Sequence, residues 1–203
     1  MSFIINPYRY AAAGYDVDNS VIFNDDDSAT LSKTPGSAGN RRSMTFSFWL
    51  KRGNLGEQMV ILNGSTDYIQ FRSDDVWNLF TASADYRTTR KFRDTHGWYH
   101  FVIAFDTANA TADQRMKLYV NGVQETSFGT ETVITQNEDL QLTNTVEQKW
   151  GNYQSSSGIF YDGYMAQVCL VDGSVLGPDS FGEFNSNGVW VPKAISATFG
   201  TTG

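Results

Sequence analysis

One cysteine in 203 residues excludes a framework of internal disulfides. That residue, Cys169, lies inside an apolar run, where a free thiol behaves as a small hydrophobe. Long hydrophobic runs are missing too. No stretch approaches the roughly 20 apolar residues that a membrane-spanning helix needs. The start, MSFIINPYRYAAAGYD, has no basic region followed by a long apolar core, so no signal peptide is legible. A soluble protein made in the cytoplasm, not exported by the standard route and not inserted in a membrane is expected. Positive charge is scarce: 15 Lys and Arg against 22 Asp and Glu leave a net charge of -7. Nucleic-acid affinity rests mostly on attraction between cations and phosphates, so no nucleic-acid partner is expected. The clusters Arg41-Arg42 and Arg90-Lys91-Phe92-Arg93 are short and read as solvated loop or strand-edge charge. Helical periodicity is absent as well, since no segment sustains an apolar repeat of 3.6 residues.

What the chain has in quantity is aromatic surface: 14 Phe, 10 Tyr and 5 Trp. A chain of this length can bury roughly 70% of the surface its unfolded form exposes, so it needs no covalent staples. The organising stretch is 97–124. Residues 98–106 are aromatic and β-branched, and Tyr99, Phe101, Ile103 and Phe105 share one strand face. In 116–120, Met116, Leu118 and Val120 alternate with Lys117 and Tyr119, and Asn121-Gly122 follows as a hairpin signal. The cleanest alternation is 44–51, with Met44, Phe46, Phe48 and Leu50 toward a core and Trp49 on the opposite face. There Trp49 either lines a concave face or is covered by a second layer. Residues 20–23 read as a strand, 24–28 as a turn and 29–32 as the partner of that first strand. Shorter strands are expected at 59–62, 68–72, 76–81 and 90–93, weaker ones at 132–134 and 140–142, and a strong one at 159–171. One helical turn, with Pro178 near its start, is expected within 176–182. Short strands spaced by turn signals predict an all-β, antiparallel jelly-roll β-sandwich over residues 17–184. Residues 1–16 read as an arm and 185–203 as a C-terminal extension leading into a further segment. In the arm, Phe3, Ile4, Ile5, Tyr8 and Tyr10 are poor choices for a solvated tail and suit an anchor to a larger assembly.

Five motifs taken in order carry a family resemblance: Ser20-Val-Ile-Phe, Met44-Thr-Phe-Ser-Phe-Trp-Leu-Lys, Gly97-Trp-Tyr-His-Phe-Val-Ile-Ala-Phe-Asp, Lys117-Leu-Tyr-Val-Asn-Gly and Tyr161-Asp-Gly-Tyr-Met-Ala-Gln-Val. Over residues 18–184 the chain resembles laminin-G/pentraxin-like jelly rolls of the concanavalin A-like lectin/glucanase superfamily. The resemblance implies two curved antiparallel sheets packed face to face, often binding glycans, sometimes with calcium in the rim loops. The start MSFIINPYRY, the run Asp172-Gly173 to Phe184 and Gly188-Val-Trp-Val-Pro-Lys are similar to structural proteins of tailed bacteriophages, especially marine ones. That second resemblance implies a place on the virion, as tail fibre, capsid decoration or knob.

The residues themselves limit the chemistry. Glycoside hydrolysis needs two carboxylates about 5–5.5 Å apart for retention or about 6.5–9.5 Å for inversion. The Glu-x-Asp-x-(x)-Glu strand of the superfamily's glucanases is missing, and Glu125, Glu131, Glu138, Asp139 and Glu147 are scattered. His96 and His100 have zinc-like spacing only on a helix; on a strand about 13 Å separates them, so zinc is excluded. The adjacent acids Asp25, Asp26 and Asp27 are calcium candidates, although acids in a turn are usually just solvated. No other cofactor is expected. Sugar binding needs an exposed aromatic ring with amides or carboxylates beside it, and the loop candidates are Tyr68, Asp74, Asp75, Trp77 and Tyr86, with Trp150 and Tyr153 behind them. Core packing is the ordinary role of Trp77 and Trp150.

The expected function is a non-enzymatic virion structural protein, part of a symmetric assembly. Its arm would contact other virion proteins and its rim loops would face solvent or the host. A carbohydrate-binding module that attaches to host surface glycans is the first alternative. A glycoside hydrolase or lyase of the same fold is the second.

Overall fold

A computed structural model describes residues 15–153 and 158–199. In chain order its strands are β1 (Val21–Phe23), β2 (Leu31–Lys33), β3 (Ser43–Arg52), β4 (Met59–Gly64), β5 (Asp67–Phe71), β6 (Val76–Phe80), β7 (Asp85–Lys91) and β8 (Tyr99–Asp106). They continue with β9 (Met116–Val120), β10 (Val123–Glu125), β11 (Phe128–Thr132), β12 (Gln148–Trp150), β13 (Gly163–Asp172), β14 (Gly182–Phe184) and β15 (Trp190–Pro192). Among the described residues helix is confined to two single 3-10 turns, Ala112–Gln114 and Pro178–Ser180. Pro178 at the start of the second has the preset φ that suits a first helical position.

Two antiparallel sheets form the sandwich. One has six strands in the order β1-β13-β3-β8-β9-β10, the other seven in the order β11-β7-β6-β5-β4-β12-β2. This is the antiparallel jelly-roll sandwich that the alternation predicts. Met44, Phe46, Phe48 and Leu50 of β3 and Phe101, Ile103 and Phe105 of β8 are all buried in the interlayer core. Phe48 and Phe101 are direct cross-strand partners, stacked with centroids 5.8 Å apart. Such a ring pair adds about 0.5–1.5 kcal/mol beyond its area burial. Trp150 reaches across from the other sheet to meet Phe46 and Phe48. The predicted hairpin forms at Asn121 (φ 50) and Gly122 (φ 79), joining β9 to β10.

Several expectations are corrected. The segment after the 24–28 turn does not pair with β1. β1 pairs with β13 in one sheet, whereas β2 pairs with β12 in the other. The turn, closed by Ser28 N–H to Asp25 and Ala29 N–H to Asn24, therefore carries the chain between layers. β7 begins at Asp85, inside what reads as a turn, and β13 begins only at Gly163. Leu140 and Leu142 belong to no strand; both are fully buried and plug one end of the core. Residues 185–199 fold back onto the outer face of the six-stranded sheet, where Ile195 and Ala197 pack with Val102, Cys169, Val171 and Phe181. Burial there pushes the Cys169 thiol up to about 11, which suits an inert packing residue. Trp49 is thus covered by a second layer, being 8% exposed. The anchoring residues Phe3, Ile4, Ile5, Tyr8 and Tyr10 lie outside the described residues.

Candidate functional site

The outer face of the seven-stranded sheet is built by alternation in β5, from Trp77 to Phe80 of β6 and from Asp85 to Arg87 of β7, before a register shift between β6 and β7. Ile69, Phe71, Trp77, Leu79 and Tyr86 point inward, so Tyr68, Gln70, Asn78, Phe80, Asp85 and Arg87 point outward. Cross-strand register sorts the outward residues into two rows. Tyr68 pairs with Phe80 and Phe80 with Asp85; Gln70 pairs with Asn78 and Asn78 with Arg87.

The first row is an aromatic platform. Tyr68 and Phe80 stack at 5.1 Å with planes 14° apart, and Tyr153 meets Tyr68 edge-on at 5.2 Å. Phe80 keeps 37% of its surface exposed. The second row is a hydrogen-bonded chain with one direction that crosses to Asp85 of the first row. Gln58 Nε2 donates to Gln70 Oε1 (2.5 Å), Gln70 Nε2 to Asn78 Oδ1 (2.7 Å) and Asn78 Nδ2 to Asp85 Oδ1 (2.8 Å). Arg87 closes it from the other side, with Nε and Nη2 donating to the two oxygens of Asp85 at 3.1 and 2.5 Å. Gln70 and Asn78 are buried and form a rigid floor, whereas Gln58 is exposed and Arg87 is partly exposed. The row spans β4 to β7, about 14 Å at about 4.8 Å per strand. Arg72, beside Asp74 at 3.9 Å, marks the edge of the face. Burial raises the Tyr68 phenol, with Tyr153 and Asp85 adding to the rise and Arg72 and Arg87 opposing it.

Of the residues named from sequence, Tyr68 and Tyr153 are on this face and Asp74 at its edge. Trp150 packs on Phe46 and Phe48, and Asp75, Trp77 and Tyr86 are also placed elsewhere. Trp77 is fully buried and packs in the core. Tyr86 is also buried, and its hydroxyl accepts the Ile134 N–H at 3.2 Å. Neither has a ring face to stack on a sugar. Asp75 is buried in an ion-pair cluster, accepting from Gly56 N–H at 2.9 Å and Arg93 Nε at 2.9 Å, with Arg52 Nη2 at 3.1 Å. Burial alone would raise its carboxyl; Gly56, Arg93 and Arg52 together hold it below the usual range. Phe80, Gln58, Gln70, Asn78 and Arg87 were not singled out from sequence, although their parity against Ile69, Phe71 and Leu79 places them outward.

The calcium candidates Asp25, Asp26 and Asp27 sit in an exposed turn, where Asn24 Nδ2 donates to Asp27 and Asn54 Nδ2 to Asp25. Among the described residues no group of three or more His, Cys, Asp or Glu side chains is placed to hold a metal. Asp67 carries a carboxyl raised to about 6 by burial, but it accepts from Gln141 N–H at 2.6 Å and Thr66 Oγ1 at 3.1 Å beneath the 140s loop. It ties that loop down and faces no cleft. His100 is a buried strand residue between Ser47 and Trp190.

A cleft lies on the outer face of the six-stranded sheet. It has a volume of about 780 Å³ and sits between residues 15–20 and the β14–β15 hairpin. Trp49, Trp98 and Phe184 line it together with Asp16, Asp18 and Glu183.

Comparisons with known proteins agree with the architecture. Domain 4 of AbnA, a GH43 extracellular arabinanase from Geobacillus stearothermophilus solved in complex with arabinotriose, is 15% identical, with a TM-score of 0.53 over 79% of this chain and 73% of that one. The heptameric SAP-like pentraxin of Limulus polyphemus is 15% identical, with a TM-score of 0.50 over 72% and 70% of the two chains. Domains LG4-5 of the mouse laminin α1 chain give 11% identity and a TM-score of 0.50 over 88% of this chain and 46% of that one. No curated protein matches the sequence. A family model of laminin-G type matches residues 23–179, and by that match the chain belongs to the concanavalin A-like lectin/glucanases superfamily.

Proposed function

We propose that this protein is a non-enzymatic carbohydrate-binding module whose site is the outer face of the seven-stranded sheet. One observation carries the reading: an aromatic platform, Tyr68, Phe80 and Tyr153, stands beside a pre-ordered polar row that ends in Asp85 and Arg87. A pyranose or furanose has an apolar C–H face and a rim of hydroxyls. The rings take the face, while Arg87, Arg72 and Gln58 meet the hydroxyls. Because Gln70 and Asn78 hold their neighbours in place before binding, little side-chain ordering is left to oppose association. Both oxygens of Asp85 are committed to Arg87 and Asn78, so the face is built to hold rather than to cut. A relative of the same fold was solved with an arabinotriose, which supports a saccharide as the ligand class.

The test is a glycan array and affinity electrophoresis on soluble polysaccharides with wild type, Tyr68→Ala and Phe80→Ala. Reproducible binding that either substitution weakens at least tenfold is expected. A broad panel without binding, or binding indifferent to both substitutions, would refute the site. Turnover of any polysaccharide by purified protein would refute the non-enzymatic part. Placement on a virion rests on the likeness of the terminal sequences alone; immunogold labelling of purified particles tests it.

A further inference from the structure

The cleft on the six-stranded sheet has a different chemistry from the aromatic platform. Its floor and walls are aromatic, with Trp98 38% and Phe184 54% exposed. Its charged lining among the described residues is of one sign: Asp16, Asp18 and Glu183, with no described lysine, arginine or histidine beside them. Among the described residues none of these three carboxylates is in an ion pair; the six that form lie elsewhere. Main chain without partners among the described residues borders the cleft. Residues 15–19 carry no regular secondary structure and make no backbone hydrogen bond to the rest of the described chain. Among the described residues β14 and β15 pair only with each other, which leaves one edge of each without a described partner. At the floor, the buried Trp49 indole N–H has no acceptor among the described residues.

Aromatic surface rimmed by unneutralised carboxylates attracts cations, both by direct charge and through the ring quadrupoles. Unpaired backbone bordering the cleft suits another length of backbone, as in strand addition. A cleft of about 780 Å³ lies within the range of about 300–1,000 Å³ typical of binding pockets. We propose that this cleft takes an extended basic peptide, a segment of a partner protein. Its Lys or Arg side chains meet Asp16, Asp18 and Glu183, and its intervening apolar side chains enter against Trp49, Trp98 and Phe184. The site is separate from the aromatic platform, so either can fail without the other.

The probes are two fluorescein-labelled hexapeptides, alternating Lys-Leu and alternating Glu-Leu, titrated against the full chain by anisotropy at about 0.05 and about 0.5 M salt. The basic peptide should bind and the acidic one should not, with at least tenfold weakening at the higher salt. The combined variant Asp16→Asn, Asp18→Asn, Glu183→Gln should lose at least tenfold, and Phe184→Ala should weaken binding several-fold. A control, Glu57→Gln with Asp113→Asn and Glu131→Gln, removes as much exposed charge elsewhere and should bind as wild type. Circular dichroism shows that each variant is folded. If the control loses as much as the cleft variant, the attraction is diffuse and the proposal falls. It falls equally if spermidine displaces the peptide at equal concentration, because the ligand is then a small organic cation. Binding that appears only after residues 1–14 are deleted would assign the cleft to the chain's own segment. A concentration-dependent rise in mass that the cleft variant abolishes would assign it to a second copy.

Discussion

The indole N–H of Trp190 donates to Nδ1 of His100 at 3.0 Å, while the two rings stack with centroids 5.9 Å apart. An indole nitrogen can only donate, so Nδ1 must accept and the imidazole proton sits on Nε2, which donates to Ser47 Oγ at 2.9 Å. The indole also fills a slot kept open by two glycines: a Cβ at Gly122 or at Gly182 would overlap its ring. One tryptophan thereby clamps the C-terminal hairpin onto the centre of the six-stranded sheet.

That clamp should respond to pH. Burial lowers the His100 imidazole from 6.5 to about 3. A group with a depressed folded pKa stabilises the protein above its unfolded pKa, and this contribution is lost as pH falls from 6.5 toward 3, by at most about 1.4 kcal/mol per pH unit. Acidification should loosen the hairpin before the sandwich melts. Tryptophan fluorescence should report it as a red shift, absent in Trp190→Phe.

Asp67 has the opposite sign. Burial raises its carboxyl from 3.8 to about 6, so the folded chain favours the neutral form and stability falls as pH rises through that interval. The loss amounts to about 3 kcal/mol. Asp67→Asn should flatten this part of the stability profile in urea melts at pH 4 to about 7. An unchanged profile would place the titration elsewhere.

Asp75→Asn should unfold the protein at far lower denaturant. Arg52, 1% exposed and seated 4.5 Å over the Phe71 ring, would be left buried without its counter-ion. Breaking such a pair by removing one partner costs about 3–5 kcal/mol. Because the Asp75 carboxyl is held low, its contribution is present above the usual carboxylate pKa and is lost on acidification.

Trp77→Ala should cost about 3–5 kcal/mol through the cavity it leaves. Any loss of glycan binding should then track the unfolded fraction. Tyr68→Ala, on the exposed platform, should instead reduce binding with a melting curve close to wild type. Guanidinium melts run alongside affinity electrophoresis separate the two behaviours.

The contrast between Trp77 and Tyr68 shows how much of the site could be read in advance. Trp77 shares parity with Leu79, and Tyr86 follows directly on Asp85 once β7 is allowed to start there, so alternation alone turns both rings inward. Residue type admits Trp77 and Tyr86 alongside Tyr68; parity keeps Tyr68 and adds Phe80. Asp75 could not have been read this way. Its partners Arg52 and Arg93 come from distant points in the chain, and only packing reveals that its carboxylate is already taken.

Strand periodicity is a local property, set by which side chains lie two apart, so the antiparallel sandwich, its core faces and the Asn121-Gly122 turn were legible in the chain itself. Which strand neighbours which is settled by burial and hydrogen bonding over long separations. That is why the assignment of β1 and β2 to different sheets, the polar row from Gln58 to Arg87 and the Trp190 clamp emerged only when the two layers were brought together.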